Sequence, residues 1–461
     1  MSNTSSARPD WPVVEQAIRQ ALERDQAHHA LIASFLQNAR RVHEGTTGLI
    51  PEDAIAPVDP LPDYEHLPPT APDDARDILS RVVMIKLNGG LGTSMGLARA
   101  KSLLPVKNGL SFLDIIARQV LHLRQTHGVP LPLLLMTSYS TDRDTRDALA
   151  GYPTLGHDAS GLPLTFLQHR APKLMADTLL PAEASANPDQ AWCPPGHGDL
   201  YTALITRGIL DELVARGFRY AFVSNADNLG AVIDPAIPRF MQSHRAPFLM
   251  EVADRTAADR KGGHLARERQ GHRLLLRESA QCPESDQAAF QDIERHRYFN
   301  TNNLWVDLAA LRESIQRTGG PPELALIINR KTLDPRDDRS PAVLQLETAM
   351  GAAIASFDGA VALRVPRTRF APVKTTDDLL GLWSDAFVLG NDLQIRLAPE
   401  RADLGPPVIK LDPRYYKKID AFSARFPRGA PSLVGCRSLV VEGDHTFSPE
   451  QRFEGDVAIT P

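Results

Sequence analysis

The sequence predicts an α/β fold with a mainly parallel sheet, and three observations lead to it. The apolar run Val82-Val-Met-Ile-Lys-Leu ends in a glycine loop, Asn88-Gly-Gly-Leu-Gly-Thr, as a buried strand does at the edge of an open sheet. Further apolar runs at 131–136, 164–167, 220–223 and 248–252 alternate with helical patterns at 112–123, 142–149, 200–215 and 236–244. Finally, 461 residues, 43% hydrophobic and 23% charged, suit a folded protein of two or three domains and exclude wholesale disorder.

Taken in order, Val13, Ile18, Ala21 and Leu22, then Leu31, Ile32, Phe35 and Leu36, fall at helical spacing, separated by a charged stretch that suits an exposed face. From 51 to 74 seven prolines interrupt an acidic segment, which forbids continuous helix or central strand and predicts an ordered wrap or a linker. Beyond the α/β core, strands are expected at Arg273-Leu-Leu-Leu-Arg-Glu and Tyr298-Phe-Asn-Thr-Asn-Asn-Leu-Trp-Val, and a long amphipathic helix over 343–355. Near the end, short strands are expected around Leu433-Val434, Ser438-Leu-Val-Val and Phe453-Glu-Gly-Asp-Val-Ala-Ile-Thr, and Gly443-Asp444 and Gly455-Asp456 are each expected in a turn beside a short strand. Two such units hint at the start of a β-solenoid.

Charge and composition narrow the function. With 51 Lys+Arg against 56 Asp+Glu, the net charge of −5 lacks the basic excess of a nucleic-acid binder. No apolar run is long enough to span a membrane, and the opening residues lack the apolar segment of a secretory signal, so a cytoplasmic location is expected. Cys193, Cys282 and Cys436 lie too far apart for a metal quartet or a disulfide framework.

Three elements can carry chemistry. In Leu87-Asn-Gly-Gly-Leu-Gly-Thr-Ser-Met-Gly, glycines let backbone amides approach anionic oxygens, and the loop is expected to open toward a helix N-terminus. The alternative is a structural turn. Ala100-Lys101-Ser102 is no Walker A ending, and Gly90-x-Gly92-x-x-x-Gly96 is too long for the dinucleotide fingerprint. In Trp192-Cys-Pro-Pro-Gly-His-Gly-Asp, a stiff loop presents His197 and bare amides; here the alternative is Asp199 as a helix cap beside an ordinary histidine. The strand ending Phe222-Val-Ser-Asn-Ala-Asp-Asn places Asp227 where an open sheet presents ligands, and a carboxylate there can hold Mg²⁺ bridging phosphates, unless it merely caps a turn. Other polar insertions are Glu251, Lys261-Gly-Gly, Asn300-Thr-Asn-Asn and Lys374. The asparagines suit sugar hydroxyls, and Lys374 is either a phosphate ligand or a solvated loop cation.

In this order the pieces resemble one family, the eukaryotic-type UDP-glucose pyrophosphorylases (UTP–glucose-1-phosphate uridylyltransferases), from about Val82 to Asp444. The similarity rests on the loop from Lys86 to Gly96, Lys101-Ser-Leu, Pro194-Pro-Gly-His-Gly-Asp, Val223-Ser-Asn-Ala-Asp-Asn-Leu-Gly, Asn300-Thr-Asn-Asn-Leu-Trp, Gln345-Leu-Glu-Thr-Ala and Val365-Pro-Arg-Thr-Arg-Phe-Ala-Pro-Val-Lys. The resemblance implies a Rossmann-like nucleotidyltransferase core with a mixed, mainly parallel sheet and a short C-terminal β-helix-like domain. The division expected is 1–78, 79–385 and 386–461. It implies the Mg²⁺-dependent reaction UTP + glucose 1-phosphate ⇌ UDP-glucose + pyrophosphate, by a monomer or small homo-oligomer. Leu87, Asn88, Gly89 and Gly90 would line the nucleotide site, with Gln168 and Gly196 near the uracil. His197, Asn225, Ala226, Asn300 and Asn302 would lie near the sugar or its phosphate. Asp227 would hold the metal, and Lys101 and Lys374 would grip the phosphates as catalytic residues. Two departures stand out: Ala98 and Ala100 replace the usual auxiliary lysine and proline, with Arg99 one position over, and the chain stops early at Pro461. Relatives acting on N-acetylglucosamine 1-phosphate usually carry Arg-Leu or Arg-Met after the loop Gly-Thr, whereas Ser94-Met95 here favours glucose. The alternatives are a pyrophosphorylase for another sugar 1-phosphate, galactose or N-acetylglucosamine, and a non-catalytic nucleotide-sugar-binding regulator.

Overall fold

The computed structural model describes residues 8–156, 161–184 and 187–461; the first seven residues of the opening stretch lie outside these. The chain divides into two compact units. One collects Met1–Pro68, Leu167–Phe222 and Ala236–Val365; the other collects Pro69–Phe166, Val223–Pro235 and Pro366–Pro461. A mixed α/β sheet with flanking helices forms the core, and among the described residues no helix is long and apolar enough to cross a membrane.

In the first unit the two expected N-terminal helices run Trp11–Arg24 and His29–His43. Pro12 lies in the first turn of the first, where its missing N–H costs nothing, and the His28 ring caps the second by accepting from Ala30 N. Their apolar stripes, Val14, Ile18 and Leu22 with Phe35, Leu36 and Ala39, pack against Ala171, Leu174, Leu326 and Leu346. Strand Phe248–Asp254 pairs antiparallel with Tyr298–Asp307 and parallel with Val361–Arg364, and His264–Glu268 joins Leu274–Arg277 antiparallel. The expected helix over 343–355 is instead strand Ala342–Thr348 followed by the 3-10 helix Met350–Ser356. Val343, Leu344 and Leu346 are buried, and residue-by-residue pairing with Leu326–Thr332 overrides a spacing that also suited a helix. Gly208, at φ +69°, splits the helix expected over 200–215 into Asp199–Thr206 and Ile209–Ala215.

The proline-rich segment is an ordered wrap. Ile55 and Ala56 pair with Glu268 and Arg267, and helix Pro72–Leu79 begins before the segment ends. Glu52 fastens the wrap through Arg277 (2.6 Å), Arg295 (2.8 Å) and His296 (2.9 Å). His296 stacks on the fully buried His264 with centroids 3.9 Å apart, and burial lowers the pKa of both imidazoles. Unfolded histidines take protons more readily, so this unit keeps full stability above pH 6.5 and loses it as pH falls, by up to about 1.4 kcal/mol per pH unit for each ring. Thermal denaturation should show a lower Tm at pH 5.5 than at pH 7.5, and His264→Gln should flatten the difference; equal Tm values would refute it.

In the second unit Val82–Asn88 runs parallel to Leu133–Thr137, and helix Phe112–His127 starts at a Ser111–Asp114 capping box and ends at Gly128. The glycine loop does not open into an α-helix: it passes through short 3-10 turns at Thr93–Met95 and Lys101–Leu103, so a helix dipole is not its source of positive charge. At the C-terminus, Val408–Leu411, Ser432–Val441 and Arg452–Ile459 form a three-stranded parallel sheet. Gly455 lies inside the last strand at φ +64° rather than in a turn. All three cysteines are free and buried.

Candidate active site

The residues singled out by sequence fall into two sets, one in each unit. In the second unit, strand Val82–Asn88 delivers the glycine loop beside the end of strand Tyr220–Asn225. The buried Lys86 amine donates to Ser224 Oγ (2.7 Å) and to the Ala231 carbonyl (2.9 Å), clasping both ends of the turn that carries Asn225, Ala226 and Asp227. Ala226 N donates to the Leu87 carbonyl at 3.0 Å. Asn88 is buried with its amide on Thr145 Oγ1 (2.9 Å), and the Gly89 carbonyl accepts from Ser138 Oγ (3.0 Å). A Cβ placed at Gly90 would meet nothing within 4 Å, so the backbone there borders open space that a ligand can enter.

Lys101 and Asp227 come together: Nζ lies 2.6 Å from Oδ2, both side chains partly exposed. The Asp227 turn is laced to the segment leading to Lys374. Asn228 Oδ1 accepts from Ala371 N (2.9 Å), its Nδ2 donates to the Arg369 carbonyl (3.2 Å), and Val373 N donates to the Asp227 carbonyl (3.2 Å). Gly230 permits this approach, since a Cβ there would fall 2.4 Å from the Thr368 carbonyl. Lys374 itself is exposed, its amine 5.9 Å from the Phe370 ring centre, at the start of a helix capped by Thr375 and Asp378. Arg99 lies mostly in solvent, 3.6 Å from Asp144.

In the first unit the stiff loop is held by backbone. Thr348 N donates to the Pro195 carbonyl and Gly198 N to the Thr348 carbonyl, while Gly196, at φ +83°, leaves no room for a Cβ, which would sit 2.4 Å from the Thr348 carbonyl. Thus Gln345-Leu-Glu-Thr-Ala supports the loop as the end of a strand. His197 Nδ1 accepts from Met350 N (3.1 Å). A backbone amide only donates, so Nδ1 carries the lone pair and Nε2 the proton. The ring is enclosed although part of the residue stays accessible, and that enclosure pushes the imidazole down to about 4. His197 is therefore a neutral donor near pH 7. Asn300 and Asn302 bind each other (2.9 Å) where Asn302, at φ +57°, kinks the strand. Gly351 lies against them, since its Cβ would be 2.8 Å from Asn300 Nδ2, so the Met350–Gly351 turn brings His197 and Asn300 to one place. Sequence reading missed that turn, as it missed Lys86 and Asn228; each acts through a partner far away in the chain.

Two expectations change. Asn303 is not available to a sugar: its amide and the Trp305 indole hold the buried Glu251 carboxylate, at 3.1 and 2.9 Å. Asp199 does not cap its helix but accepts from His169. Gln168 is buried beside that histidine.

Among the described residues no cluster of three or more His, Cys, Asp or Glu side chains could cage a metal. A magnesium ion commonly takes only one or two protein carboxylates and completes its shell with substrate phosphates and water, so the lone Asp227 carboxylate fits that mode.

The family model for UTP–glucose-1-phosphate uridylyltransferase matches residues 32–453. A UTP–glucose-1-phosphate uridylyltransferase of Astragalus penduliflorus is 39% identical over 93% of this chain and 87% of its own length. One from Saccharomyces cerevisiae is 42% identical over 83% of this chain and 74% of its own. A UDP-glucose pyrophosphorylase variant from Leishmania major, solved in complex with UDP-glucose, superposes with a TM-score of 0.88 at 43% identity, covering 97% of this chain and 99% of that one. Matched along nearly its whole length in sequence and in fold, the chain belongs to the UTP–glucose-1-phosphate uridylyltransferase family.

Proposed function

We propose that the chain catalyses UTP + glucose 1-phosphate ⇌ UDP-glucose + pyrophosphate. One observation carries the reading beyond family membership: the Asp227 turn is ion-paired to Lys101 and laced to the Lys374 segment, which gathers a metal-type carboxylate and two cationic segments beside a glycine loop.

An oxygen of the sugar phosphate attacks the α-phosphorus of UTP in line, and the bond to pyrophosphate breaks with its electron pair leaving on pyrophosphate. A phosphate monoester is already anionic, so no strong base is needed; neutralising charge between two anions is. Lys101 and Lys374 supply positive charge at the phosphates, and Leu87, Asn88, Gly89 and Gly90 line the nucleotide. Gln168 and Gly196 read the uracil. His197, in its Nε2–H form, donates to a sugar-phosphate oxygen, with Asn225, Ala226, Asn300 and Asn302 around the sugar. Mg²⁺ on Asp227 would add charge neutralisation at the triphosphate. The same reading divides the chain at 1–78, 79–385 and 386–461, takes the three parallel C-terminal strands as the start of a β-helix, and makes the protein a cytoplasmic monomer or small homo-oligomer.

The test is pyrophosphate release from UTP with glucose 1-phosphate, with and without Mg²⁺, alongside galactose 1-phosphate and N-acetylglucosamine 1-phosphate. Mg²⁺-dependent turnover is expected, fastest with glucose 1-phosphate. Faster turnover with another sugar would change the substrate, and none at all from folded protein that binds UTP would leave a binding protein.

A further inference from the structure

We propose that Asp199 is a positioning residue for base recognition, holding Gln168 and the Gly196–His197 loop in register; this rests on the uridylyltransferase reading above. The Asp199 side chain is almost wholly buried, 1% exposed, so it touches no bulk water. Oδ2 accepts the backbone N–H of His169 at 2.7 Å, and Oδ1 lies 2.8 Å from His169 Nδ1. The far ring nitrogen, Nε2, meets Thr206 Oγ1 at 3.0 Å. His169 directly follows Gln168, and Asp199 closes Gly196-His-Gly-Asp. One carboxylate thus staples the two segments assigned to the uracil.

Thr348 already fixes the loop through backbone hydrogen bonds on its other side. The two segments also meet where Ala171–Pro172 pairs antiparallel with Trp192–Cys193, so what Asp199 adds is a second, side-chain link at the residue next to Gln168 and beyond His197. A buried ion is expensive unless donors surround it, and a contact between apolar side chains would hold two segments together as well. Two charge-assisted hydrogen bonds instead fix angle and distance, which reading a base edge requires. A misplacement of about 1 Å is enough to cost on the order of a hundredfold in rate.

The experiment compares UTP with CTP, in kcat/KM for pyrophosphate release and in equilibrium binding without a sugar phosphate. Asp199→Asn can accept at one oxygen but turns an N–H toward the other donor. It is expected to lower the UTP:CTP preference about tenfold, chiefly through the UTP KM. His169→Leu should follow it. His169→Asn, whose Nδ2–H stands where Nδ1–H stood, should keep the preference. An unchanged UTP:CTP ratio in Asp199→Asn, whatever its Tm or overall activity, would overturn the proposal; if that variant does not fold, equal ratios in His169→Leu and His169→Asn would do so. A wild-type protein with no preference for uridine would instead overturn the uridylyltransferase reading itself.

Discussion

Lys374→Ala is expected to lower kcat for pyrophosphate release by about a hundredfold or more, while Tm stays near that of the parent chain. The two readouts separate because the side chain is exposed: its Nζ reaches only the face of Phe370, and no carboxylate pairs with it among the described residues. Folding therefore gains little from the amine. Its backbone is nonetheless well fixed, since Lys374 N donates to Asp378 at 2.7 Å and Val373 N donates to the carbonyl of Asp227. A mobile charge on an anchored main chain can follow phosphate oxygens as charge shifts from the attacking to the leaving group. Such a donor acts mainly in the transition state, so kcat and kcat/KM should fall together. A near-normal kcat in Lys374→Ala would remove this lysine from the mechanism.

Asp227→Asn is expected to be more severe, roughly a thousandfold in kcat, with a large rise in the Mg²⁺ concentration needed for half-maximal activity. The substitution preserves shape but discards the carboxylate that, among the described residues, pairs with Lys101 at 2.6 Å. It loses the metal-type ligand and frees the lysine at once. Because the two side chains act as one unit, Lys101→Ala combined with Asp227→Asn should be little worse than the poorer single variant. A Mg²⁺ titration of Asp227→Asn that superposes on the wild-type curve would exclude the carboxylate as the metal's protein ligand.

Much of the fold was legible in the sequence where a pattern repeats within one segment. Helices at Trp11–Arg24, His29–His43, Phe112–His127, Asp142–Leu149 and Ala236–His244, and strands at Val82–Asn88 and Phe248–Asp254, all follow from periodicity and local caps. The segment at 343–355 failed because buried residues three and four apart satisfy a helix as well as a strand, and only pairing with Leu326–Thr332 decides. The glycine loop misled for a different reason. Gly92 and Gly96 both take left-handed φ and bracket the single 3-10 turn Thr93–Met95, and Gly96 ends it before an α-helix can form. In the candidate site, residues that a motif advertises could be named from sequence. Their supports could not: Lys86 reaches Ser224 across 138 positions, Asn228 reaches Arg369 across 141, and Met350 reaches His197 across 153. Such contacts leave no trace in local spacing.

Neither compact unit is contiguous in the chain, and this matters when the protein is made. Residues Pro69–Phe166 leave the ribosome long before Pro366–Pro461, the piece that completes the same unit. At a synthesis rate of about 5–20 residues per second, the wait is on the order of tens of seconds. During it, the apolar strand Val82–Asn88 can find Leu133–Thr137, but Pro366–Pro461 has not yet been translated. Until translation passes Val365 neither unit has all of its segments, so apolar surface of both stays open to aggregation over that interval.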